Sequence, residues 1–189
     1  MSEKNIIYLN VPLDRVGVLI GKKGEVKSMI EKLTSTKIEV DSSTGAVKIL
    51  FDDMLNGMKA REIVRAIALG FNPQKALKLL SDEYMLEVID LSEYLPDKEE
   101  EYRRVKGRII GRKGKAWKKI EEYTDTMLEV YRKTVAVIGK YENVKSAKKA
   151  VLMLIRGAPH PTVFRFLKRE QARLMALERG YYHEFGQEV

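Results

Sequence analysis

At 189 residues, the chain has room for one large domain or two small ones, because domains commonly run ~50–200 residues. Hydrophobic residues make up 44% and charged residues 33%, a balance that excludes a disordered chain. The 35 Lys and Arg against 27 Asp and Glu leave a net charge of +8, which favours polyanionic partners, RNA or DNA before membranes. No cysteine is present, so disulfides, thiolate catalysis and Cys-ligated zinc are excluded. The two histidines, His160 and His183, stand too far apart in sequence to suggest a metal site or a catalytic triad. No apolar run reaches the ~18 residues of a membrane span, and residues 1–10 lack the pattern of a signal peptide. The expectation is a cytoplasmic protein without cofactor or metal.

In chain order, Ile6 to Val11 reads as a strand, followed by a short helix that stops at Gly21. A longer helix begins after Gly24, with Val26, Met29, Ile30 and Leu33 at helical spacing. A hairpin of strands over 36–41 and 46–51 follows. A closing helix spans roughly 53–69, with Asp52 placed to cap it. The same order returns after Pro73. Tyr84 to Leu91 reads as a strand, and helices flank Gly111 to Gly114, the later one carrying Trp117, Ile120 and Tyr123. Strands over 126–131 and 134–139 form the second hairpin, and a helix over 141–156 closes the copy.

The two halves are an internal repeat. Residues 19–40 align without a gap on residues 109–130, with 10 identities in 22 positions. These are Ile20/Ile110, Gly21/Gly111, Lys23/Lys113, Gly24/Gly114, Ile30/Ile120, Glu31/Glu121, Thr34/Thr124, Thr36/Thr126, Glu39/Glu129 and Val40/Val130. The offset then falls from 90 to 88, so the first hairpin is two residues longer, and to 87 through the closing helices. The predicted order is β-α-α-β-β-α twice, an α+β class with domains at 1–79 and 80–160. Residues 161–189 add an extension. In it Val163, Phe166, Leu167, Leu174 and Leu177 mark an amphipathic helix packed on the second module.

Two glycine loops carry the functional argument: Gly21-Lys22-Lys23-Gly24 and Gly111-Arg112-Lys113-Gly114. Glycine lets the backbone take positive φ and approach a sugar-phosphate chain closely. The helix that starts at the second glycine presents unpaired N–H groups and a positive dipole end to phosphates. Lys22, Lys23, Lys27, Arg112, Lys113, Lys115 and Lys118 add positive charge, with Arg108 and Arg132 nearby. Bases would face an apolar wall of Ile20 and Ile110, opposite an edge strand offering Ile38 and Val40, or Leu128 and Val130. Tyr131 is a candidate for base stacking, whereas Trp117 reads as a packing residue and His160 as part of a turn.

Each β-α-α-β-β-α unit with its G-x-x-G loop resembles a type I K-homology (KH) domain, a fold that clamps about four nucleotides of single-stranded nucleic acid. The second half is also similar to the partner-of-Nob-one family. That similarity lies in Gly107-Arg-Ile-Ile-Gly-Arg-Lys-Gly-Lys-Ala-Trp117, Val130 to Gly139 and Gly157-Ala-Pro-His-Pro-Thr-Val-Phe164. The resemblance implies an archaeal member binding the 3′ region of small-subunit ribosomal RNA during assembly. It also implies contact with the Nob-one endonuclease and with the alpha subunit of initiation factor two.

Charge is segregated in the second module. Residues 82–101 hold nine acids against one base, and residues 102–119 hold nine bases and no acid, the glycine loop lying inside the basic block. That placement favours the second module as the stronger RNA site. The acidic block reads chiefly as a solubilising connection. No catalytic constellation is visible: Asp52/Asp53 and Glu99/Glu100 have no partnered base or metal-ligand pattern, so the expectation is a binder rather than an enzyme. The alternatives are an adaptor whose first module holds a partner protein, or a KH protein with another RNA target.

Overall fold

A computed structural model describes residues 5–185, and side chains up to residue 180. Residues 1–4, the His183 side chain and residues 186–189 lie outside that description. The chain divides into two compact units, one ending at Leu86 and one starting at Glu87. The first contains β1 (Asn5–Asn10), α1 (Leu13–Ile20), α2 (Glu25–Thr34), β2 (Lys37–Val40), β3 (Ala46–Phe51), α3 (Met54–Ala68) and a one-turn α4 (Pro73–Ala76). β4 (Tyr84–Asp90) opens the second sheet and runs across the division. The remaining elements are α5 (Glu99–Ile110), α6 (Lys115–Thr124), β5 (Met127–Tyr131), β6 (Thr134–Lys140), α7 (Tyr141–Ile155) and α8 (His160–Phe185).

Each unit has a three-stranded sheet with the last strand of the hairpin in the middle, in the orders β1-β3-β2 and β4-β6-β5. In the first sheet, Tyr8 faces Lys48 and Ile38 faces Ile49; in the second, Leu128 faces Val137. The pleat alternates side chains between faces, so β3 sends Val47, Ile49 and Phe51 inward towards the helices. The duplicated core positions are closed off in both copies. Leu19/Ile109, Ile30/Ile120, Ile38/Leu128, Val47/Val135, Ile49/Val137 and Ile67/Leu154 are all at most 1% exposed. Burial of that kind is worth roughly 1.5–3 kcal/mol per large aliphatic side chain.

Most of the sequence identities between the copies have a local structural cause. Thr34 donates to the Ile30 carbonyl at 2.7 Å and shares a 2.9 Å hydrogen bond with Thr36. Thr124, Ile120 and Thr126 repeat the arrangement at 2.6 and 2.9 Å. Glu31 accepts from the Ile38 N–H at 2.7 Å, and Glu121 from the Leu128 N–H at 2.9 Å. These bonds fix the left-handed turn at Ser35 or Asp125 and set the edge strand beside the helix that precedes it.

Several expectations need correction. Asp53 rather than Asp52 caps α3, accepting from the Asn56 N–H at 2.9 Å. Met29 and Leu33 are 44% and 51% exposed, because the inward face of that helix is Ile30 and Thr34, with Val26 half-buried. α8 begins at His160, which is therefore a helical residue and not a turn. Val163, Phe166, Leu167 and Leu174 are buried as α8 packs on α6 and α7, whereas Leu177 lies 40% exposed beyond those contacts.

Candidate nucleic-acid interface

The two glycine loops have nearly the same backbone. Gly21 sits at φ 74°, ψ 177° and Gly111 at φ 72°, ψ 171°. Lys23 and Lys113 are left-handed at φ 54° and 56°, and Gly24 and Gly114 follow at φ 83° and 73°. The two glycines of each loop are needed for different reasons. A Cβ on Gly21 would lie 2.5 Å from Val26 Cγ2, and one on Gly111 would lie 2.6 Å from the Ala116 Cβ. At Gly24 and Gly114 an added Cβ would meet nothing within 4 Å, so there only the positive φ selects glycine. The loop thereby turns back tightly against its own next helix.

No side chain caps the N-terminus of α2 or α6. The first amide of each helix donates to the carbonyl of Lys22 or Arg112, and no side chain stands in the way of an anion at the positive end of the helix dipole. Around the second of these ends, Arg112, Lys113, Lys115 and Lys118 are exposed. Among the described residues no carboxylate pairs with any of them. Around the first, Lys22 and Lys23 are exposed, and Glu25 occupies the position that Lys115 takes in the second copy. Ile20, Ile110, Val40 and Val130 are half-buried and leave an apolar surface beside the loops.

Four residues expected at this surface are committed elsewhere. Ile38 and Leu128 are core residues, 1% and 0% exposed, because their strands turn those positions under the helices. Lys27 bonds Glu31 and the Ile38 carbonyl, each at 3.1 Å. Arg108 donates from Nε to the Leu154 carbonyl at 3.2 Å and from Nη2 to the Ala158 carbonyl at 2.6 Å. It therefore ties α5 to carbonyls at and just beyond the C-terminus of α7. Arg15 does the same in the first unit, reaching the carbonyls of Ile67 at 2.8 Å and Phe71 at 2.6 Å. His160 meets the backbone carbonyl of Arg108 at 2.8 Å through Nε2, so α8 holds the last turn of α5 directly before the loop. Lys119 of the basic block lies 4.1 Å from the centre of the Phe164 ring, behind the loop.

The hairpin turns differ in sign. In the first unit Asp41 accepts from the Ser43 N–H at 2.8 Å and from its hydroxyl at 2.6 Å. The Ser43 hydroxyl bond is the main reason its carboxyl is lowered to about 2. In the second unit the turn is Arg132-Lys133, with Arg132 left-handed at φ 50° and its guanidinium 5.2 Å from the Tyr131 ring centre. Lys133 donates to Asp97 at 2.6 Å and lies 4.6 Å from the Tyr102 ring centre. That bond holds the Asp97 carboxyl below the usual carboxylate range.

Much of the acidic block is likewise used internally. Asp90 accepts from both the N–H and the hydroxyl of Ser92, and Glu101 pairs with Arg104 at 2.7 Å. Glu87 pairs with Lys148. Among the described residues no cluster of three His, Asp or Glu side chains is placed to hold a metal ion, and no helix is long and apolar enough to cross a membrane.

A β-α-α-β-β-α unit with a G-x-x-G turn between its first two helices and a hairpin edge beside it is a type I KH domain, and the chain holds two. Residues 85–172 match the family described as eukaryotic type KH-domain (KH-domain type I), and residues 6–54 match the KH domain family. A KH domain-containing protein of Methanocaldococcus jannaschii is 50% identical over 177 residues, covering 92% of this chain and 77% of that protein. The pre-rRNA-processing protein PNO1 of Coccidioides immitis is 27% identical over 150 residues, covering 79% of this chain and 54% of that protein. Among solved structures, the Dim2p chain of an initiation factor two alpha–Dim2p–rRNA complex from Pyrococcus horikoshii has a TM-score of 0.84 and 45% identity. The match covers 90% of this chain and 96% of that one. The chain belongs to the partner-of-Nob-one family of two-KH-domain proteins.

Proposed function

We propose that the protein binds single-stranded RNA of the small-subunit ribosomal 3′ region during ribosome assembly, chiefly through the cleft of its second KH domain. In this reading phosphates follow Gly111, Arg112, Lys113 and Gly114 to the positive end of the α6 dipole, with Lys115 and Lys118 beside them. Bases lie against Ile110 and Val130, near Tyr131 and Arg132. The first domain offers Ile20, Gly21, Lys22, Lys23, Gly24 and Val40 as a weaker version of the same cleft. The observation that carries the reading is the uncapped start of α6, surrounded by unpaired cations at the end of a loop closed by two glycines. The alpha subunit of initiation factor two and the Nob-one endonuclease are its proposed protein partners, in the cytoplasm.

The test is a fluorescence anisotropy titration of the full chain with an RNA of small-subunit 3′ sequence at fixed salt. Tight, salt-sensitive binding that is lost in the R112E/K113E variant is the expected result. Equal binding by that variant would overturn the assignment of the cleft. Bound RNA should remain intact with magnesium present, since the groove brings bases and not carboxylates to the phosphates. A second reading, in which the first domain is a docking module for a protein, draws on Glu25 and Asp41 beside its loop. In that case the E25K/D41K variant keeps full RNA affinity and loses the alpha subunit.

A further inference from the structure

α8 and α7 enclose a second basic feature, lined by neither α5 nor α6, the helices that border the glycine loop, although both α7 and α8 pack on α6. A groove of about 340 Å³ is lined by Lys149 and Met153 of α7 and by Thr162, Arg165, Phe166 and Arg169 of α8. Its floor is apolar: Phe166 is 6% exposed and so cannot offer its face to a base. Its rim is cationic. Arg165 and Arg169 are four residues apart on one face of α8, a spacing at which like charges repel. Lys149 stands across from them, its Nζ 5.2 Å from the Phe166 ring centre.

Among the described residues no ion pair relieves these three cations. The nearby acids are taken: Glu170 accepts from Arg173 at 2.9 Å and from Ser146 at 2.8 Å, and Glu142 accepts from Arg173 at 3.1 Å. Burial pushes the Glu170 carboxyl up, but those bonds outweigh it and keep it below its ordinary value. The protein thus spends two carboxylates on one arginine and leaves a concave, three-cation groove open beside it. We propose that this α7–α8 groove is a second, base-independent RNA site that holds backbone phosphates of a strand segment beyond the one in the glycine-loop cleft. A cationic rim with a hydroxyl (Thr162) and no accessible ring face suits phosphodiesters and ribose, not bases. The inference rests on the RNA-binding reading given above.

The test compares a long RNA carrying small-subunit 3′ sequence with an oligonucleotide of about four to six nucleotides cut from it, the length a KH cleft holds. The K149E/R165E/R169E variant is expected to bind the long RNA about tenfold or more weakly and to lower its salt slope by about 2. Its affinity for the short oligonucleotide is expected to be unchanged, whereas R112E/K113E weakens both. Unchanged long-RNA affinity in the triple variant, or an equal loss on both RNAs, would overturn the proposal. So would binding of poly-glutamate in place of the long RNA, which would assign the groove to an acidic protein. If charge reversal lowers the thermal transition, K149Q/R165Q/R169Q carries the same comparison through the salt slope. Failure of the unsubstituted protein to bind either RNA would overturn the functional reading itself, a result separate from failure of the groove alone.

Discussion

The first glycine loop runs into Glu25 and the second into Lys115, although the backbone of the two loops is the same to within about ten degrees at each glycine. A carboxylate in the first turn stabilises a helix through the dipole, and it also occupies the place an anionic ligand would take. The first hairpin turn holds Asp41 and the second Arg132-Lys133, so both sides of the second cleft are more positive. Net charge hides this, since residues 1–80 and 81–189 each carry +4. The two copies keep the residues that make the loop and differ in the residues a phosphate would meet. Duplication preserved a scaffold, and the surface chemistry was free to diverge.

The shared part can be broken equally in both copies. Gly21→Ala and Gly111→Ala should each destabilise their domain by roughly 2–4 kcal/mol, combining a strained backbone with a clash against the next helix. Gly24→Ala and Gly114→Ala should cost only about 1 kcal/mol, as their added methyl points into open space. Thermal unfolding of the four variants checks the ranking, and an equal loss at both positions of a loop would contradict it.

The divergent part should break unequally. R112E/K113E is expected to weaken RNA binding about 10- to 100-fold, and K22E/K23E severalfold less, because only the second loop lacks a neighbouring acid. Equal losses in a titration at one salt concentration would remove the distinction between the domains. Smaller effects follow at the arginines behind the loops. Arg15→Met and Arg108→Met each strip two carbonyls of a partner, with an expected loss of about 1–3 kcal/mol in the affected domain. Hydrogen exchange should locate the first in α1 and α3 and the second in α5 and α7.

The smallest effect is on pH. Asp41 has a lowered carboxyl, so its hold on the first hairpin turn is fully present above the ordinary value of 3.8 and is lost as pH falls through about 2. NMR titration should show that midpoint, and Ser43→Ala should move it upward. The Arg132-Lys133 turn of the second domain contains no carboxylate, and its acid step should come instead from Asp97, whose lowered carboxyl holds Lys133.

Much of this was legible in the chain because it is local. The α2–β2 and α6–β5 connections repeat as Ile, Glu, Thr and Thr at fixed spacing, and the Glu and Thr side chains all bond within eight residues of themselves. The glycine loops read correctly for the same reason. Arg108 carries no local sign of its role, because its partners, Leu154 and Ala158, are about fifty positions away. Arg15 and Arg108 even occupy different places in the repeat, one helical turn apart, and still reach equivalent carbonyls at Ile67/Leu154 and Phe71/Ala158. No alignment of the two halves shows that convergence. At Ile38 and Leu128, β-strand alternation identifies a face without saying how far the helices cover it.

Sequence by itself therefore determined the duplicated topology, the loop conformation and the position of the basic block, since each depends on neighbours along the chain. Only the tertiary structure decided which cations remain available. Arg108, Lys119 and Lys27 are drawn onto carbonyls, a ring and a carboxylate, while Arg112, Lys113, Lys115 and the groove's Arg165 and Arg169 are not. Long side chains satisfy whatever acceptor packing brings within reach, and that reach is set by elements far apart in sequence.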